Sequence, residues 1–109
     1  METSHSGDEL ARMLATLANP HRMRVIAALA SGRNYVSALA RELGISRPLL
    51  QLHLARLEAA GLVTATFELS ADGKAMKFYD TVPFTVTLTP QSIALAARTL
   101  TLEDGEKTS

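Results

Sequence analysis

Apolar residues recur at helical spacing through the first sixty residues and at strand spacing after them. Leu10, Met13, Leu14 and Leu17 fall at i, i+3, i+4 and i+7 behind a Ser6-x-x-Glu9 capping box, which predicts a first helix over about residues 7–18. Asn19-Pro20 restarts the chain, with Asn as N-cap and Pro at the first helical position. The next helix carries Met23, Ile26, Ala27 and Ala30 on one stripe. Val25 and Leu29 broaden it, so it is expected to be a core helix buried on more than one side. Ser31-Gly32 closes it, and Arg33-Asn34-Tyr35 leads on, with a short β bridge expected at Tyr35-Val36.

The stretch Val36 to Val63 organises the rest. Leu39 and Leu43 share one helix face, and Ala40 is small enough for a second helix to cross closely. Gly44 sits where the chain must turn sharply, with Ile45 as an apolar plug beneath it. Ser46 reads as an N-cap and Pro48 lies in the first turn of a second helix, about Arg47 to Ala60, ended by Gly61. Leu50, Leu54 and Leu57 form its inward stripe. Arg47, Gln51, Ala55, Arg56 and Glu58 fall on the other sides. Two helices joined by so tight a turn make a helix-turn-helix, and Arg47 and Gln51 near the start of the second are residue types that bond guanine and adenine bidentately in a major groove. Arg56, further along, is better suited to phosphate.

After Gly61 the pattern changes period. Residues 62–68 and 76–82 are rich in β-branched and aromatic residues, and Asp72-Gly73 between them is a hairpin-turn dipeptide. Lys74 and Lys77 stand at or near the tip, where they would meet phosphate or a minor groove, or merely keep an exposed edge soluble. Residues 84–89, bracketed by Pro83 and Pro90, alternate apolar and polar and are expected to form an extended segment or a third short strand. A last helix is predicted from about Gln91 to Leu102, capped by Thr89, with Ile93, Ala96, Ala97 and Leu100 on one stripe and Leu95 and Leu102 beside it. The expected organisation is a disordered stretch 1–6, one domain over 7–103 and a frayed tail 104–109, mainly α with a small β-hairpin, about five helices and two to three strands.

Composition narrows the chemistry. A chain of 109 residues suits one small domain, and its 47% hydrophobic and 20% charged residues are ordinary for a globular protein. No apolar run is long enough to span a membrane and no signal-peptide pattern opens the chain, so a soluble cytoplasmic protein is expected. The absence of cysteine excludes disulfides, thiolate metal sites and thiol redox sensing. The formal net charge is zero, but residues 20–60 hold six arginines against Glu42 and Glu58, a basic middle between acidic ends. The serines at 37, 46, 70 and 92 have no evident His/Asp partners, and there is no Gly-rich phosphate loop, so an enzyme is not expected. His53, on the inward side of the second helix, reads as a satisfied, partly buried histidine, and His21 as exposed at a helix start. His5 with Asp8 or Glu9, and with Glu103, Asp104 or Glu106 from a partner chain, is the one combination that would make a hard N/O metal site. No tight ligand spacing supports it, and no cofactor is expected.

LANPHRMRVIAAL (residues 17–29), LARELGIS (39–46) and LHLARLEAAGLV (52–63) together resemble the successive helices of the ArsR/SmtB group of winged helix-turn-helix repressors, over roughly residues 10–83. The resemblance implies that the hairpin is a wing, that the first and last helices pair two chains across a two-fold axis, and that the dimer binds a palindromic site on double-stranded DNA to regulate transcription, as a repressor. Carried onto this sequence, the DNA-binding set is Ser46, Arg47, Pro48, Leu49, Gln51, Leu52, Arg56, Lys74 and Lys77. The founding members sense soft metals through cysteines that this chain lacks, so any small-molecule or metal effector stays open. Two further departures are the missing arginine in the wing turn and the leucines at 49 and 52, where the family has a small and a polar residue. Leu52 then either contacts a thymine methyl or reports a rotated helix. The alternative from another class is a winged-helix module that binds protein, with weak DNA affinity.

Overall fold

Leu50, Leu54 and Leu57 are fully buried, and the fold is assembled around them. The computed structural model describes residues 5–101, in the order α1 (Gly7–Leu17), α2 (Pro20–Ala30), β1 (Asn34–Tyr35), α3 (Val36–Leu43), α4 (Arg47–Ala59), β2 (Val63–Leu69), β3 (Ala75–Thr81) and α5 (Pro90–Ala97). Five helices thus accompany a three-stranded antiparallel sheet of order β1-β3-β2. The leucines of α4 meet Val25 and Leu29 of α2, Leu39 and Ala40 of α3, Met13 of α1, and Leu62, Val63 and Tyr79 from the sheet side. With so small a core, truncation of any one of these leucines to Ala should cost about 2–5 kcal/mol.

The local signals explain the boundaries. Ser6 Oγ accepts from the Glu9 N–H while the Glu9 carboxylate accepts from the Ser6 N–H, the expected capping box. Asn19 Oδ1 accepts from the N–H groups of His21 and Arg22, and Ser46 Oγ from that of Leu49. Gly44 takes φ 70°, a left-handed value that a side chain would strain, and lets the Ile45 N–H reach the Ala40 carbonyl at 3.2 Å. That bond fixes the angle between α3 and α4. The hairpin pairs Val63 with Thr81 through to Leu69 with Ala75, leaving residues 70–74 as its tip.

Three expectations are corrected. Helix α2 is buried along one side only: Val25 and Leu29 line the core, whereas Met23 is 59% exposed and Ala27 and Ala30 face solvent. The helix lies against α4 and β3 on that side, and the domain has nothing with which to cover the other. The third strand is Asn34–Tyr35, paired with Phe78 and Tyr79, while residues 82–89 are irregular. Helix α5 stops at Ala97, because the Thr99 hydroxyl donates to the Ala96 carbonyl and accepts from the Gly7 N–H, and Thr101 gives its N–H and hydroxyl to Asp8. Those bonds fold the end of α5 back onto the start of α1. The expectations placed on residues 1–4 and 102–109 lie outside the described residues.

At this junction Gly7 is enclosed, and a Cβ built there would stand 2.2 Å from the Ala96 carbonyl oxygen and 2.7 Å from Leu100. The first residue of α1 must therefore be glycine for α5 to dock. Gly7→Val is expected to accelerate amide exchange across residues 90–97 at least tenfold while leaving α4 amides unchanged, because docking of α5 is lost and the core is not. Equal exchange in the two proteins would show that the crossing tolerates a side chain.

Candidate nucleic-acid interface

With its leucine stripe fixed inward, α4 presents Arg47, Pro48, Gln51, Ala55, Arg56 and Glu58 to solvent, together with Leu49 and Leu52, the last 48% exposed. The buried positions 50, 53, 54 and 57 are those of an unrotated helix, so Leu52 faces outward beside Gln51 and not into the core. Ser46 lies at the helix entrance, where its hydroxyl caps the first turn.

A shallow groove of about 360 Å³ joins this helix to the hairpin, lined by Arg47 and Gln51 on one bank, Ala75, Met76, Lys77 and Tyr79 on the other, and Tyr35, Val36 and Ser37 at its head. β1 pairs β3 only at Phe78 and Tyr79, which leaves the Ala75–Lys77 edge of β3 uncovered toward the groove. Lys77 lies three residues back from the tip. Its Nζ is 5.3 Å from the Tyr79 ring centre and 5.7 Å from that of Phe67. A hydrogen bond that the Lys77 ammonium donates to the Tyr79 hydroxyl oxygen, aided by the charge of Glu58, holds Lys77 above its ordinary value, so the groove keeps a cation. Lys74 is at the tip itself, its N–H donated to Ser70 Oγ. Of the residues in this groove, Tyr35, Val36, Ser37, Ala75, Met76 and Tyr79 were not among the site residues expected from the sequence, because they line it by fold and not by motif.

Asp8 is engaged by Thr101, whose hydrogen bonds lower its carboxyl below the ordinary value, and Glu103, Asp104 and Glu106 lie outside the described residues. Among the described residues no three His, Asp or Glu side chains come together as a metal site, and no helix is long and apolar enough to cross a membrane.

A helix-turn-helix followed by a hairpin that flanks the second helix is a winged helix-turn-helix. Residues 19–65 match the family model for bacterial regulatory protein, arsR family, the family that the sequence resembles. Over 59 residues the chain is 44% identical to the HTH-type transcriptional regulator CmtR of Mycobacterium tuberculosis, a match that covers 54% of this chain and 50% of that protein. The chain thus spans about half the length of the curated relatives it matches. Among solved structures, a possible transcriptional regulatory protein from Mycobacterium bovis is 27% identical with a TM-score of 0.60, covering 84% of this chain and 86% of that one. A solution structure from Mycobacterium bovis, described as a homodimeric winged helix-turn-helix DNA-binding domain, is 25% identical with a TM-score of 0.59, covering 84% and 74%. The transcriptional repressor BigR of Xylella fastidiosa, at 24% identity and TM-score 0.60 over 84% and 79%, shares the fold. The family and the curated relatives are described as regulators and not as enzymes.

Behind the exposed face of α4 lies a polar contact that the sequence reading did not foresee. His53 is only 5% exposed. Its Nδ1 accepts from Arg22 Nε at 3.3 Å, which places the ring proton on Nε2, a buried N–H without a partner. Arg22 also donates to the Thr16 carbonyl at 3.2 Å, so one guanidinium ties the end of α1 to α4, and His21 stacks on His53 with ring centres 5.4 Å apart. The expectation of a satisfied histidine therefore holds at one nitrogen and fails at the other. Burial first, then the charges of Arg22, His21 and Arg56, hold His53 below its ordinary value of 6.5. The folded state thus keeps His53 neutral while the unfolded chain takes up a proton below pH 6.5. Its contribution to stability is full above that pH and is lost as pH falls through the lower folded value. On acidification from about pH 7.5 to about pH 5.5, the melting temperature of His53→Gln should fall less than that of the wild type. Parallel declines would show that His53 is not the titrating group.

Proposed function

We propose that this chain is a homodimeric transcriptional regulator that binds an inverted repeat on double-stranded DNA and represses by occupying a promoter, in the cytoplasm. The observation that carries the reading is the pairing of Arg47 and Gln51, exposed at the N-terminal end of a helix locked by its buried leucines, with Lys77 across one groove. In this reading α4 enters the major groove, and Arg47 and Gln51 bond base edges. Leu49 and Leu52 meet thymine methyls, and Ser46 and Pro48 approach the backbone at the helix entrance. Arg56, Lys74 and Lys77 neutralise phosphates.

Dimerisation through α1 and α5 is supported by the apolar surface they leave open. Ile93, Leu95 and Leu100 are exposed, and an open cleft of about 1580 Å³ runs between α1, the end of α4, residues 82–87 and α5. The solution structure of the similar Mycobacterium bovis domain is described as homodimeric. Two recognition helices related by a two-fold axis double the length of DNA read.

Mobility shift on promoter fragments of the source genome tests the reading. Arg47→Ala or Gln51→Ala should each weaken binding to the selected inverted repeat by about 1–3 kcal/mol and relax the base preference at one position. Arg56→Ala should instead weaken all sequences alike and reduce the salt slope by about one. No shift on any promoter fragment at low salt would favour a protein-binding module with its leucine-bearing surface as the contact. In sedimentation, Ile93→Glu with Leu95→Glu is expected to convert the dimer to a monomer. A dimer that survives both changes would exclude α5 from the interface.

A further inference from the structure

The end of α1 and the inward side of α4 are joined by one side chain, and the reason begins in the sequence. Residue 20 is proline, so the carbonyl of buried Thr16 lacks the N–H that a further helical turn would supply, and the Asn19 N–H goes to the Leu17 carbonyl instead. The Arg22 guanidinium takes that place. Asn19 Oδ1 holds the Arg22 N–H in the first turn of α2, so the side chain leaves from a fixed point, with Nη1 on the Thr16 carbonyl and Nε on His53 Nδ1. His53 Nε2 has no partner and the ring stacks on His21, so the bond from Arg22 is what orients the imidazole among the described residues. Helix α1 packs on α2 and α5, and α4 on α2, α3 and β2, which puts Arg22 on the path that connects them. Apolar burial has no direction, whereas a hydrogen bond weakens steeply as its angle changes. The couple therefore fixes an angle that the leucines alone leave free to drift.

We propose that Arg22 and His53 are positioning residues that set the distance between the two α4 helices of a dimer, and so select the separation of the half-sites it binds. This rests on the dimeric, DNA-binding reading above, in which α1 belongs to the shared surface and α4 enters the major groove. With α1 held at the two-fold axis, a change in the angle between α1 and α4 moves both α4 helices symmetrically. One base pair added between half-sites shifts the second by about 3.4 Å and turns it by about 34° around the duplex. A protomer whose α1 and α4 share one guanidinium cannot follow that movement without breaking the bond to Thr16 or the bond to His53.

Two measurements on the full chain test it. The chain has no cysteine, so Ala55→Cys on the exposed side of α4 gives one spin label per protomer and one distance per dimer. That distance should be a single narrow peak with the native couple and should broaden in Arg22→Met and in His53→Leu. His53→Asn, whose Oδ1 stands where Nδ1 stood and accepts from Arg22, should restore the narrow peak. In mobility shifts on the selected inverted repeat, a spacer one base pair longer or shorter should weaken wild-type binding on the order of tenfold, and Arg22→Met binding by less than about threefold, with the base preference set by Gln51 unchanged. Melting curves establish which variants are folded; where Arg22→Met is not, His53→Leu, an apolar exchange in an apolar setting, carries both measurements. A narrow distance and undiminished spacer discrimination in the folded variants would overturn the positioning role and leave the DNA-binding reading standing. Affinity lost equally on every spacer would reduce the couple to packing and overturn the role as well. Failure of the wild type to bind any duplex would overturn the DNA-binding reading and the half-site selection with it.

Discussion

Everything about the exposed surface follows from where Leu50, Leu54 and Leu57 are buried. A helix has one rotational setting that puts three residues at spacings of four and three into the same core, and once they are there each other position is fixed to within the width of a side chain. Gln51 is outward because Leu50 is inward. The Gly44 turn and its bond to the Ala40 carbonyl then set α3 across α4, and the leucines of both helices close on Val25 and Leu29. A one-residue slip would bury Gln51, which cannot be satisfied there, and expose a leucine, so the arrangement resists change from both directions.

Much of this could be read before any coordinates, for identifiable reasons. Caps at Ser6, Asn19, Ser46 and Thr89 act over three residues, and the leucine stripes and the Asp72-Gly73 tip are equally local, so sequence carries them directly. What was misread depends on distance along the chain. Helix α2 looked buried on more than one side because its apolar residues occupy more than one face; which face is used depends on α4 and β3 arriving from elsewhere. The end of α5 is decided by Asp8 and Gly7, more than ninety positions away. The bank of the groove made by Met76 and Tyr79 exists only because β1 is two residues long and leaves the rest of β3 uncovered.

The Arg22 and His53 pair shows a second way in which pattern misleads. A guanidinium and an imidazole occupy core-facing positions of α2 and α4 where a hydrophobicity pattern leads one to expect leucine. The single guanidinium holds both the His53 ring and the Thr16 carbonyl, so the angle between α1 and α4 is set by a directional bond and not by apolar packing alone. Helix α1 is thereby coupled to α4 through α2. The cost is one buried N–H without a partner, a desolvation of about 1–3 kcal/mol.

A formal net charge of zero would ordinarily weigh against a polyanionic partner. It does not do so here, because attraction to a duplex acts over a Debye length of about 8 Å, and what counts is the sign of the surface within that reach. On the wing, alternation of strand residues sorts the charges without altering their sum: Glu68 and Asp80 go to the far face, where Arg33 neutralises the first, and Lys77 comes to the near one. On α4 the helical period turns Arg47, Gln51 and Arg56 outward, two cations against the one carboxylate of Glu58 that is exposed with them. A neutral chain can therefore present a basic concave surface, provided that two different periodicities keep their register, and both registers are fixed by the buried residues behind them.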